Sequence, residues 1–240
     1  MAGRIVEYEA DGLRMRGELF AGGVSGPARP GVLVFPEAFG VSDHSRERAE
    51  RLAGLGYQAL ACDLHGDARY EDNLENVMPL IAPLRSDPEA ILRRARPAME
   101  ALIAQGGADP ARIAAMGFCF GGTMALELAR GGAPLRAAIG FHSGLAPRSP
   151  EEAKPIAGEI LVCLGADDPS IDGDQRAAFE QEMKAVGAKW QMSLYGGVVH
   201  SFTNPAADQR GMTNFARYDA RADARSWAET VGLLRDVFAG

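Results

Sequence analysis

The stretch that most constrains this chain is residues 113–125, Ile-Ala-Ala-Met-Gly-Phe-Cys-Phe-Gly-Gly-Thr-Met-Ala. It reads as a short apolar strand, a glycine-flanked turn and the start of a helix of small residues. Its centre, Gly117-x-Cys119-x-Gly121, has the spacing of a nucleophile elbow, with cysteine where serine is more usual. A residue on so sharp a strand-to-helix turn is held in strained backbone geometry, its side chain raised above the sheet edge. The residues two positions either side must be small, because a Cβ there would meet the adjacent strand or helix. The helix N-terminus behind the cysteine presents N–H groups and the positive end of a dipole, which favour a thiolate and an oxyanion. The bland alternative is a buried cysteine in a glycine-rich βα turn. The rest of the chain must therefore supply a histidine and an acid.

Taken in order, the chain alternates strand and helix. Residues 4–9 and 13–20 alternate in hydropathy around Asp11-Gly12 and read as a β-hairpin. Residues 21–30 read as a loop. Residues 31–35 are continuously apolar, as in a strand buried on both faces of a parallel sheet. Ser42-Asp43 caps a helix to about Leu55, and residues 56–62 form the next buried strand. Helix is expected from Glu71 or Asn73 onward, and again from Asp87-Pro88-Glu89 to about Ala104. Gly106 to Pro110 turns the chain into the elbow strand. Further strands are expected at 135–141, 159–165 and 190–195, and helices at 174–186 and 219–238, with a surface loop at 147–158. This order predicts an α/β fold, a mostly parallel sheet with helices on both faces, in one domain over residues 1–240. Ligand sites in such sheets lie at the carboxyl ends of the strands. The elbow, the Glu37 loop, the Asp167-Asp168 loop and the His200 loop all fall there.

A thiol is mostly protonated at neutral pH and needs a base or a positive environment to attack a carbonyl. Of the four histidines, His44 lies in a helix start, while His65 and His142 end strands and could line the cleft. Only His200 sits in the penultimate loop before the last helix, so it is the expected base. The imidazole needs an orienting carboxylate, for which Asp167 and Asp168 compete. Asp168 is taken because Gly165-x-x-Asp168 puts it at the apex of the turn before Pro169. Nucleophile, acid and histidine then follow the chain order of an elbow hydrolase.

Four motifs, 117–122 (Gly-Phe-Cys-Phe-Gly-Gly), 36–40 (Pro-Glu-Ala-Phe-Gly), 165–168 (Gly-Ala-Asp-Asp) and 200–202 (His-Ser-Phe), together resemble the dienelactone hydrolase family, in order and over essentially the whole chain. The resemblance implies an α/β-hydrolase fold without a large lid and a carboxylic ester or lactone as substrate. It implies Cys119 as nucleophile, His200 as base and Asp168 as orienter. Glu37 would hold the Cys119 thiol at rest and take its proton when substrate enters. A carboxylate beside a thiol does not by itself favour thiolate, so Glu37 could help only by accepting the proton and moving away. By the same analogy the oxyanion donors are the N–H groups of Phe120 and Ala38, and Phe39, Arg85, Phe202 and Asn204 are expected to contact substrate. Members of the family bind an anionic lactone through two arginines, one shortly after the histidine. This chain carries Asn204 there, and Arg69 and Arg85 are the available cations in the divergent segment 67–85. An esterase or thioesterase for uncharged substrates, and a hydrolase fold that binds a small molecule without turnover, therefore stay open.

Composition narrows the partners. The 240 residues carry a net charge of −7, which argues against a nucleic-acid surface. No apolar run approaches a membrane span, and the N-terminus lacks a signal-peptide core, so a cytoplasmic monomer or small homo-oligomer is expected. Cys62, Cys119 and Cys163 form no CxxC pair or Cys/His cluster, so neither metal nor disulfide is expected. Cys62 and Cys163 read as core residues. No glycine-rich phosphate loop is present, and no cofactor is expected.

Overall fold

The computed structural model describes residues 3–22, 28–148 and 154–239. Parts of the expected loops at 21–30 and 147–158 lie outside the described residues.

Eight strands form one sheet: β1 (Arg4–Ala10), β2 (Leu13–Ala21), β3 (Arg29–Phe35), β4 (Gln58–Ala61), β5 (Ala108–Phe118), β6 (Ala137–Phe141), β7 (Glu159–Gly165) and β8 (Lys189–Tyr195). Their order is β1-β2-β4-β3-β5-β6-β7-β8, antiparallel from β1 to β4 and parallel thereafter. The hairpin closes at Asp11-Gly12, where both residues have positive φ, as a tight turn between right-twisted strands requires. β3, β6 and β7 are buried nearly end to end, which is why their sequences run apolar without alternation.

Among the described residues, six α-helices cover the sheet: α1 (Asp43–Gly54), α2 (Leu74–Ser86), α3 (Pro88–Ala104), α4 (Phe120–Arg130), α5 (Gly173–Ala185) and α6 (Ala220–Ala239). One face packs Val32, Val34, Met116 and Ile139 under α1 and α6. The other packs Leu33, Ala115, Ala138 and Val162 under α2, α3, α4 and α5. The caps follow the sequence. Ser42 and Ser45 form a reciprocal box at α1, Asn73 and Asp87 cap α2 and α3, and Pro88 opens α3.

Boundaries differ from the sequence expectation: β3 begins at Arg29, inside the expected loop, and β4 spans only Gln58–Ala61. β5 begins at Ala108, because Arg29 pairs with Ala108 across an irregularity that returns to register at Gly31 and Ile113. β6 begins at Ala137, two residues late. A 3-10 helix at Pro205–Arg210, capped by Asn204, was not expected at all. Cys62 and Cys163 are wholly buried, and burial pushes both thiols well above the usual range. No helix among the described residues is long and apolar enough to cross a membrane.

Candidate active site

Cys119 stands between β5 and α4 with φ 53° and ψ −121°, a conformation that L-residues rarely adopt. The flanking glycines are obligatory for clearance. A Cβ on Gly117 would lie 2.1 Å from the Gly121 carbonyl oxygen, and one on Gly121 would lie 2.2 Å from that of Pro36. A Cβ on Gly122 would lie 2.6 Å from the Ser143 Cβ. The elbow is thus wedged against the strand-end loops after β3 and β6. The Cys119 N–H donates to the Phe141 carbonyl (2.9 Å) and to Nδ1 of His142 (3.1 Å).

The His200 loop follows β8 and is pinned on both sides of the histidine. The His200 N–H donates to the Phe215 carbonyl, and the Arg217 N–H returns to the His200 carbonyl, both at 3.0 Å. The ring's Nδ1 donates to Oδ2 of Asp168 at 2.6 Å, and the Cys119 side chain is an electrostatic neighbour of the ring. Asp168 is buried, and its other oxygen accepts from the Ser170 hydroxyl (2.6 Å) and N–H (2.9 Å). Asp167 points outward and is exposed, so of the two aspartates it is Asp168 that meets the histidine.

These contacts set the charges. Burial opposes charge on His200, but its interactions with Cys119 and its hydrogen bond to Asp168 outweigh this, and its pKa rises to about 10. Burial also opposes charge on Asp168, and its bond to His200 more than offsets this, holding the carboxyl below its ordinary value. The arrangement favours a charged His200 ring.

Glu37, 2% exposed, does not take the place the resemblance gave it. Its Oε1 accepts from the Ser201 hydroxyl at 2.8 Å. Its Oε2 accepts from Asn204 Nδ2 at 2.7 Å and from Arg210 Nη2 at 2.8 Å. Burial raises its pKa, but Arg210 leads a set of positive neighbours that bring it down to about 2. A carboxylate engaged this way is a poor proton acceptor for Cys119.

The two oxyanion candidates stand on adjoining segments. Phe120 is the first residue of α4, and Ala38 lies in the loop after β3 that Gly121 abuts. The Ala38 carbonyl accepts from Nε2 of His65 at 2.7 Å, which orients that loop.

The expected substrate contacts divide. Phe39 sits in the site loop with the Arg210 guanidinium 4.2 Å above its ring. Phe202 is fully buried, packed edge-on against His142 and Tyr195, so it is a core residue rather than a substrate contact. Asn204 spends its amide on Glu37 and its oxygen on capping the 3-10 helix. Arg85 is exposed in the last turn of α2 and is not among the side chains hydrogen-bonded to Cys119, His200 or Glu37.

Sequence reasoning missed Arg210, Ser201, Ser170 and Thr203. Arg210 stands in a stretch without hydropathy period, and the one signal for its helix was Asn204-Pro205, a cap followed by proline at the first position. No cluster of His, Cys, Asp or Glu that could hold a metal occurs among the described residues.

Comparison with known proteins agrees with this architecture. The model of the dienelactone hydrolase family matches residues 19–238. A solved dienelactone hydrolase-like promiscuous phosphotriesterase from metagenomic libraries is 44% identical, covers 99% of this chain and 98% of its own, and superposes with a TM-score of 0.94. A second solved structure, m3DLH, is 48% identical over 98% of both chains, also at 0.94. From Bradyrhizobium sp., the protein named "Probable 2-oxo-3-(5-oxofuran-2-ylidene)propanoate lactonase" is 29% identical over 86% of this chain and 83% of its own. The fold is that of the α/β-hydrolases, with no large lid among the described residues.

Proposed function

This chain belongs to the dienelactone hydrolase family, and on that premise we propose that it hydrolyses small carboxylic esters or lactones through Cys119, His200 and Asp168. The observation that carries the reading is the His200 ring, bonded at Nδ1 to buried Asp168 and an electrostatic neighbour of Cys119 on its strained elbow.

In the proposed cycle the Cys119 thiolate adds to the substrate carbonyl. The resulting oxyanion is received by the N–H groups of Phe120 and Ala38, aided by the α4 N-terminus. Collapse breaks the ester C–O bond, and the His200 imidazolium gives its proton to the leaving alkoxide, leaving a thioester on Cys119. Neutral His200 then takes a proton from water. The hydroxide adds to the thioester carbonyl, and collapse expels the thiolate while His200 regains its charge. Asp168 holds the ring in the productive tautomer throughout. Glu37 anchors the oxyanion loop by tying it to Ser201, Asn204 and Arg210.

The test is hydrolysis of p-nitrophenyl acetate and a small lactone by the wild type and Cys119→Ala. Activity is expected to vanish in the variant, with an acetyl adduct on wild-type Cys119 in quenched samples by intact mass. Unchanged hydrolysis in Cys119→Ala would remove the assignment.

A second reading concerns charge. Arg210 is bonded to Glu37 and stacked on Phe39, so it is not free to hold a substrate carboxylate. This favours uncharged esters and thioesters over an anionic lactone. The phosphotriesterase name of the 44% identical relative is in keeping with a neutral substrate. A panel pairing each neutral substrate with its carboxylate-bearing analogue decides this, since the reading expects lower KM for the neutral member.

A further inference from the structure

Among the residues other than glycine with positive φ, three lie in strand-end loops of the site: Cys119 after β5, His142 after β6 and Ser201 beyond β8. The first is the nucleophile, and the third donates its hydroxyl to Glu37. His142 is fully buried, so no substrate reaches it, yet its ring lies against the nucleophile's backbone. Its φ of 39° turns the side chain under the elbow. Its own N–H is held by the Cys163 carbonyl at 2.8 Å. Such strain persists only where the surroundings over-determine it.

Resting on the triad reading above, we infer that His142 is a positioning residue whose Nδ1 holds the Cys119 N–H, and that Thr203 selects the tautomer able to do so. The Cys119 N–H points at Nδ1, so that atom must be the bare acceptor. The ring proton then sits on Nε2, which faces the Thr203 hydroxyl oxygen at 3.0 Å. Thr203 is itself fixed, because its carbonyl accepts from Arg48 (2.7 Å), and Arg48 is ion-paired with buried Asp223 on α6. A chain of contacts thus runs from α6 through Arg48, Thr203 and His142 to the strained nucleophile. The same ring meets His200 edge-on, with centroids 4.9 Å apart, and so limits how the base can rotate. Ser143 fills the space that Gly122 leaves open, pressing this loop against the elbow. If the acceptor is lost, the elbow's N–H keeps only the Phe141 carbonyl and the thiolate is presented less well to the substrate.

The experiment compares His142→Asn, His142→Gln and His142→Leu. Asparagine places an acceptor where Nδ1 stands, whereas glutamine reaches the Nε2 position instead. kcat, KM and the rate of Cys119 alkylation by iodoacetamide are measured, with melting temperature as the check on folding. Cys62 and Cys163 are buried, so alkylation reports Cys119. His142→Leu and His142→Gln are expected to lose about tenfold or more in both kcat and alkylation rate with KM within about twofold, and His142→Asn to recover most of it. Wild-type rates in His142→Leu, or asparagine no better than glutamine, would overturn the inference. If the His142 variants do not fold, Thr203→Val and Thr203→Ser decide: the inference expects loss in the valine variant alone, and a valine variant at wild-type rates would overturn it. Hydrolysis surviving in Cys119→Ala would instead sink the triad reading. The alkylation series still tests His142 in that case.

Discussion

Oε2 of Glu37 lies 2.8 Å from Nη2 of Arg210, joining the loop after β3 to the 3-10 helix beyond β8 across 173 positions of sequence. Glu37 is almost wholly buried and the Arg210 side chain is 18% exposed, so water screens the pair little. Arg210→Met should leave the carboxylate buried with only Ser201 and Asn204, at a cost of about 3 kcal/mol at neutral pH. Because the folded pKa of about 2 lies below the ordinary 4.5, the stabilisation is present above pH 4.5 and is lost as pH falls toward 2. Melting temperatures of wild type and variant should therefore be widely separated at pH 7 and converge on acidification. A constant gap would show that Arg210 acts through packing on Phe39 alone.

His200 gives the opposite sign. Its folded pKa of about 10 exceeds the ordinary 6.5, so its contribution is full below pH 6.5 and is lost as pH climbs through 10. Cys119→Ser weakens the Cys119 contribution that raises it. NMR titration of the His200 ring should give a lower midpoint in the serine variant, and the alkaline fall in melting temperature should flatten. An unmoved midpoint would mean that Cys119 and His200 do not form a charged pair.

Asp168 is the sole carboxylate bonded to the His200 ring among the described residues, with Ser170 holding it from behind. Asp168→Asn should preserve the packing and lower kcat by about 10³–10⁴, with KM nearly unchanged, because the amide no longer enforces the tautomer or stabilises the imidazolium. Asp167→Asn, at the exposed neighbour, should stay within about twofold. Steady-state kinetics on the two variants separate the aspartates that the sequence alone left in competition.

Clearance at the elbow makes a stability prediction with its own control. Gly121→Ala sets a Cβ 2.2 Å from the Pro36 oxygen, main chain that cannot yield without moving the oxyanion loop. It should cost about 2–3 kcal/mol and most of the activity. Gly232→Ala, in the exposed interior of α6 with nothing within 4 Å, should stabilise by about 0.5–1 kcal/mol. Denaturant melts of both variants provide the comparison.

The strands, the capped helices and the elbow were legible because each is set by local rules. Apolar runs at β3 and β7, Ser42 and Asp87 as caps, and Asp11-Gly12 as a turn all act over a few residues. Cys119, Asp168 and His200 could be picked out because parallel strands deliver their carboxyl ends to one edge. The helix at Pro205–Arg210 escaped because it is short and lacks an apolar period, and Arg210 escaped with it.

From its sequence, this chain determined which residues stand at the sheet edge and that two glycines, Gly117 and Gly121, must be bare around the thiol. The tertiary structure alone decided how those residues are paired. Glu37, expected beside the Cys119 thiol, is bonded instead to Ser201, Asn204 and Arg210. Asn204 stands where a substrate-binding cation was expected and serves Glu37. Phe202 fills the core, and His142 reaches the nucleophile's backbone from the next strand. The physical reason is range: turns, caps and hydropathy periods act over a few residues, whereas a buried charge takes whichever partners the packing of distant loops brings within about 3 Å.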